Sequence, residues 1–192
     1  MKTATVKFNG VSPYQQGRYH NLPRLEDGKE GHDEYAQRTW REQVHADADG
    51  NIFIPPMAFK NCLSTAAAFL SIPIPGKSRQ TYTKNFVAGI LVLDPVYIGK
   101  KKEDAIRADI FGDSQGKRGG KTGSRKMIYL PLFTEWEGTV VFHIVDGTIS
   151  KEIFERVLRE SGKFIGVGVY RPQNGGYYGR FDVESIDWSE DE

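Results

Sequence analysis

The sequence predicts an α+β fold, a four-stranded antiparallel sheet on two helices. Two segments carry helical periodicity behind recognisable start signals, and four others are rich in β-branched and aromatic residues. They alternate in the order β-α-β-β-α-β. Residues 3–11 (TATVKFNGV) form the first strand, which Ser12-Pro13 ends because proline cannot donate to a ladder. Residues 14–33 are polar and punctuated by Gly and Pro, hence a loop, and 34–45 fit a short helix or an edge strand equally.

Asp49-Gly50-Asn51 signals a turn, Ile52-Phe53-Ile54 a short strand, and Pro55-Pro56 a break. Pro56 suits the first position of a helix, where its missing N–H costs nothing. The helix over 56–71 then gathers Phe59, Cys62, Leu63, Ala66, Ala67 and Leu70 on one face, and Pro73 and Pro75 stop it. Residues 86–98 (FVAGILVLDPVYI) read as a strand bent at Pro95. Residues 139–145 (TVVFHIV) read as another. Thr148 or Ser150 caps a helix over 150–161 whose stripe is Ile153, Phe154, Val157 and Leu158, and Gly162 ends it. Residues 164–169 and 177–186 are strand material around a Gly-rich turn, and 178–186 supplies the last core strand.

This is the ferredoxin-like, RRM-like split βαβ order. A length of 192 residues fits one domain, 1–192, with insertions at 12–51 and 99–126 and an acidic tail at 182–192. The 99–126 insertion carries nine basic residues against four acidic ones, a net of +5, with five glycines between 112 and 123. It is expected to be mobile. The tail from Asp182 onward carries six acidic residues and no basic one. Such opposite poles favour head-to-tail self-association into a homo-oligomer.

Composition excludes several classes. A net charge of +1 rules out a uniformly basic coat for polyanions, and the lone Cys62 rules out an intrachain disulfide or a multi-cysteine zinc module. No apolar run approaches a membrane span and the start lacks an apolar signal core, so a cytoplasmic protein without membrane contact is expected. No nucleophile elbow, P-loop or H-E-x-x-H motif occurs, and no cofactor or metal is expected.

Two phrases stand out. Ile54-Pro55-Pro56-Met57-Ala58-Phe59-Lys60-Asn61 places Lys60 in the first turns of a helix, whose positive N-terminal end suits a phosphate. Residues 162–180 (GKFIGVGVYRPQNGGYYGR) pack six glycines, two arginines and three tyrosines into nineteen positions. Glycines permit positive φ or close backbone approach, tyrosines stack on bases, and arginines pair with phosphates.

Together the phrases resemble those of the RAMP superfamily, the RRM-like RNA-binding subunits and nucleases of CRISPR systems. Those proteins carry an I-P-G-S-S-x-K-G phrase and a C-terminal loop of the type G-x-G-x-R-x-x-G-Y-G-R. Here Ile54, Pro55 and Lys60 match the first, while Pro56-Met57-Ala58 replaces its Gly-Ser-Ser and Asn61 its last Gly. Gly166, Gly168, Arg171, Gly176, Tyr178, Gly179 and Arg180 match the second. The chain also looks like a small prophage-encoded relative, and the basic insertion sits where backbone subunits of the superfamily carry a flexible thumb.

The resemblance implies non-catalytic binding of single-stranded RNA, or DNA, by a sheet face and the Gly-rich loop, with self-assembly along the strand. The binding residues expected are Lys60, Arg171, Tyr177, Tyr178 and Arg180, supported by Arg18, His20, Lys117, Arg118, Lys121, Arg125 and Lys126. Two alternatives stand beside it. One is a metal-independent endoribonuclease with His20 as its acid or base. The other is a phage-encoded module that docks on a host CRISPR or defence complex.

Overall fold

The structure, a computed structural model, describes residues 1–25, 29–113 and 125–190. Nine strands are present among them: β1 (Lys2–Gly10), β2 (Tyr14–Gln15), β3 (Asn51–Ile54), β4 (Ile90–Leu91), β5 (Val96–Lys101), β6 (Ile106–Asp113), β7 (Arg125–Phe133), β8 (Glu137–Ile144) and β9 (Phe181–Glu190). Four α-helices accompany them: α1 (His32–Thr39), α2 (Pro56–Leu70), α3 (Thr83–Gly89) and α4 (Lys151–Glu160). The class is therefore α+β with antiparallel sheets.

The central sheet has the order β4-β8-β1-β9, every pair antiparallel. Alternation along β1 sends Ala4, Val6 and Phe8 to the face that carries α2 and α4. Phe59 of α2 lies 5.0 Å from Phe8, and Phe154 of α4 lies 5.3 Å from Phe142, ring centroid to centroid. These phenylalanines are almost wholly buried, and each contributes about 1.5–3 kcal/mol by leaving water. Both helices start as the sequence requires. Pro56 opens α2, and the Ser150 hydroxyl accepts the Ile153 N–H at the head of α4.

Two smaller sheets flank this core, β2-β7-β6 and β3-β5. On the first, Tyr129 donates to Asp33 of α1, so α1 covers one face. The β3–β5 ribbon buries Ile52, Ile54, Val96 and Ile98 completely or nearly so.

Several sequence expectations are corrected. The strand expected over 86–98 is divided into α3, the two-residue edge strand β4, and β5, which leaves the central sheet for β3. Tertiary contacts decide it: Phe86 is buried, its carbonyl accepts the Ser64 hydroxyl, and Asn85 donates to Asp146 and Thr148. The 34–45 segment is α1 followed by a 3₁₀ turn, Trp40–Gln43.

Of the 99–126 insertion, 114–124 lie outside the described residues, and on either side of them β6 and β7 pair in eight registered steps from Ile106↔Leu132 to Asp113↔Arg125. The insertion's charge masks this pairing. The last strand, expected over 178–186, is the edge strand β9 and runs on through the acidic stretch to Glu190: Phe181 and Val183 turn inward while Asp182, Glu184 and Asp187 face solvent. Charged residues along a free edge discourage strand-to-strand aggregation. Residues 161–165 continue α4 as a π turn, so 164–169 is not a strand.

Candidate functional site

The Gly-rich run folds back on itself beyond that π turn. The Val167 N–H donates to the Gly179 carbonyl at 3.0 Å, Tyr178 N–H to Tyr170 at 3.1 Å, and Gly176 N–H to Arg171 at 3.1 Å. The segment after β1 then grips it. Val11 N–H donates to the Arg180 carbonyl and Gly179 N–H to that of Pro13, both at 2.8 Å. The Ser12 hydroxyl donates to the Tyr177 carbonyl at 2.7 Å and accepts the Arg180 N–H at 3.0 Å.

Glycine is required for this packing. At Gly179 φ is +70°, and a Cβ would sit 1.8 Å from the Val167 carbonyl oxygen. At Gly168 φ is +94°, and a Cβ would meet the Gln15 carbonyl oxygen at 2.5 Å. These glycines let the loop close on the protein itself, and its side chains form the outer surface.

Two neighbours complete the setting. On one side the π turn lies against α2, where the Cys62 thiol donates to the Ser161 carbonyl. Burial pushes that thiol up to about 12, so Cys62 is a neutral core group. On the other side is the hairpin, for a Cβ at Gly112 would lie 3.0 Å from the Tyr170 hydroxyl. Lys126 is registered opposite Gly112, and directly opposed residues share a face, so exposed Lys126 stands on the side of Tyr170. Gly17 similarly approaches Val169, and exposed Arg18 follows it.

The expected residues are thus placed as follows. Arg171 donates to the Gly168 carbonyl at 2.9 Å and to the Gln173 side chain at 3.1 Å. Arg180 donates to the Lys163 carbonyl at 3.0 Å through one terminal nitrogen. The rings of Tyr177 and Tyr178 lie 4.1 Å apart, and Tyr177 is 55% exposed. Burial and the hydrogen bond with Tyr177 push the Tyr178 hydroxyl up to about 12, so the Tyr178 ring stays a neutral phenol near pH 7.

Arg18, Lys126, Arg171, Tyr177, Tyr178 and Arg180 therefore surround one loop. Lys60 does not join the contact between loop and α2. It lies about 160° around the helix from Cys62, on the flank of Ser64, whose hydroxyl donates to Phe86 of α3. His20 stacks on Tyr35 of α1 at 5.8 Å, and Arg24 and Arg38 lie over the same ring. Arg125 is placed by its backbone opposite Asp113, and Lys117, Arg118 and Lys121 lie outside the described residues.

Charge pairing varies over the surface, and cations away from the loop, such as Lys7, Lys84 and Lys100, also lack a carboxylate partner among the described residues. Arg38, Lys102, Arg107, Arg159 and Lys163 each pair with a carboxylate. Among the described residues Arg18, Lys60, Lys126, Arg171 and Arg180 do not. The side of the central sheet opposite α2 and α4 is a different surface. It presents Thr3, Thr5, Lys7 and Asn9 of β1 with Glu137, Thr139, Val141 and His143 of β8, offering no Phe, Tyr or Trp for stacking. Among the described residues no three His, Cys, Asp or Glu side chains are grouped as a metal site requires, and no helix is long and apolar enough to cross a membrane.

Ser12 and Tyr170 carry much of this architecture and escaped the sequence reading. Their partners lie 165 positions away for the Ser12 hydroxyl and on the hairpin for Tyr170, and no local pattern announces such contacts.

No protein-family model matches the chain, and no curated protein matches its sequence. Solved structures share its fold. The crystal structure of Cmr6 from Pyrococcus furiosus superposes with a TM-score of 0.54 at 11% identity, over 95% of this chain and 99% of that one. The cryo-EM structure of type III-B Cmr-beta bound to cognate target RNA gives a TM-score of 0.53 at 12% identity over 98% of this chain, which spans 61% of that chain's length. At these identities the likeness is one of fold, which this chain shares with both structures.

Proposed function

We propose that this chain is one RAMP-type domain on a ferredoxin-like core, and that it binds single-stranded nucleic acid, RNA in preference, without cutting it. The observation that carries the reading is the gathering of Arg18, Lys126, Arg171 and Arg180 about the Gly-rich loop, none with a carboxylate partner among the described residues, with exposed Tyr177 among them. Cations without carboxylate partners suit phosphates, and a phenol face suits an unstacked base of any identity. The likeness to a Cmr-beta structure that holds target RNA supports the same choice of ligand. The loop and hairpin, rather than the sheet face, form the interface. Lys60, on the α3 flank of α2, lies outside it.

Titration of labelled single-stranded RNA by fluorescence anisotropy in EDTA, with the strand recovered on a gel, tests the reading. Saturable binding with the RNA intact is expected. Cleavage lost in His20→Ala would overturn the non-catalytic part. Capture of a host defence protein by a chain that ignores RNA would overturn the rest.

The basic segment 114–124 carries Lys117, Arg118 and Lys121. Its replacement by Asn-Gly should leave the cooperative melt in place. The slope of log K against log salt should become shallower by about 2, near 0.7 for each lost phosphate contact. An unchanged slope would remove these three residues from the interface.

A further inference from the structure

The β3–β5 ribbon carries a second row of rings that the Gly-rich loop does not use. Phe53 and Tyr97 are registered opposite each other on its outward face, while their neighbours Ile52, Ile54, Val96 and Ile98 turn into the core. The Phe53 and Tyr97 centroids are 6.0 Å apart, and the His45 ring lies 5.8 Å from Phe53 on the other side. Tyr97 is 47% exposed, and His45 and Phe53 are half-buried.

The row is fixed to the segment that grips the loop. Buried Gln16 donates its amide to the Phe53 carbonyl at 2.8 Å and accepts the His45 N–H at 2.6 Å. Burial, and second to it the charge of nearby Arg18 two residues on from Gln16, lowers the His45 imidazole pKa and favours a neutral ring. At the far end is an open cavity of about 410 Å³ whose lining includes Asp47, Asn51, Tyr97, Gly99, Lys100 and Lys101.

Its chemistry is selective. Asp47 is well engaged: it accepts the Asp49 and Asn51 N–H groups and the Asn51 amide, and the bonds from Asn51 above all hold its carboxyl below the usual range. Lys101 donates to the Asp49 carbonyl, whereas Lys100 has no carboxylate partner among the described residues. Gly99 leaves open space where a Cβ would point.

We propose that this ribbon is a second stacking surface, continuous with the Gly-rich loop through residues 11–18. It takes unpaired bases of the bound strand on Tyr97, Phe53 and His45, with Arg18 and Lys100 on the flanking phosphates. The inference rests on the single-strand reading above. Rings about 6 Å apart with a cation at each end match a strand with unstacked bases, since every base offers a π face. Bases paired inside a duplex cannot reach such a row.

The test compares labelled RNAs of about four and about twelve nucleotides, within the span of known single-strand sites. Tyr97→Ala should weaken the longer RNA roughly tenfold and leave the shorter one unchanged, whereas Tyr97→Phe should bind both normally. Lys100→Ala should reduce the salt slope for the longer RNA by about 0.7. Arg180→Ala should weaken both lengths. Normal binding of the longer RNA by Tyr97→Ala and Lys100→Ala, alongside weakened Arg180→Ala, overturns the ribbon and leaves the loop standing. Equal losses for both lengths in Tyr97→Ala also overturn a separate surface. Wild-type protein that binds neither RNA overturns both readings.

Discussion

Gly179→Ala is expected to lower the melting temperature by roughly 10 °C and to abolish RNA binding at concentrations that saturate the wild type. The left-handed backbone at this position costs a residue with a Cβ about 1–2 kcal/mol. That Cβ would also lie 1.8 Å from the Val167 carbonyl oxygen, so the two arms of the loop must separate. Separation breaks the bonds from Val167 N–H to Gly179 and from Gly179 N–H to Pro13, each about 1 kcal/mol. The total is about 3–4 kcal/mol, and each kcal/mol moves the midpoint of a chain this size by about 2–4 °C. Binding falls because Arg171, Tyr177, Tyr178 and Arg180 are all positioned by that closure. Gly147→Ala, where a Cβ meets nothing within 4 Å, is the control and should leave melting and binding unchanged. Wild-type melting and binding in Gly179→Ala would show that the loop is not held as described.

Arg180→Ala separates recognition from architecture. Its side chain makes one hydrogen bond, to the Lys163 carbonyl, so its removal should cost stability no more than about 1 kcal/mol. Its charge has no carboxylate partner among the described residues and is available to a phosphate. RNA binding should weaken by about 1–3 kcal/mol, the range of a charged or stacked contact. Wild-type affinity in a well-folded Arg180→Ala would turn the loop from an RNA surface into a structural clasp. Arg171→Ala is less clean, because that guanidinium also holds the Gly168 carbonyl inside the loop.

The parts legible in the sequence are those that local chemistry specifies. Pro56 and Ser150 announce the two packing helices, and the alternation of Ala4, Val6 and Phe8 announces the central strand. The apolar run 86–98 was ambiguous because Phe86 and Ile90 are buried whether the backbone is helical or extended. The choice is made by Ser64 and Asp146, far away in sequence. Charge misled twice. Acidic residues concealed the extension of β9 beyond 186 to Glu190, and basic residues concealed the pairing of Ile106–Asp113 against Arg125–Phe133. At the site, the residue types of the loop were visible. Its closure on Ser12 and Gln15 was not, nor was the edge-to-face contact of Phe53 with Tyr97, because these are tertiary contacts.

The most direct measurement is the affinity of the purified chain for one RNA sequence, presented single-stranded and as a duplex, over a salt series. Binding should favour the single strand, and log K should fall against log salt with a slope of about −5 to −6 if the eight cations assigned to the interface each meet a phosphate. A folded chain that ignores the single strand at low salt, or takes the duplex equally well, would contradict the account.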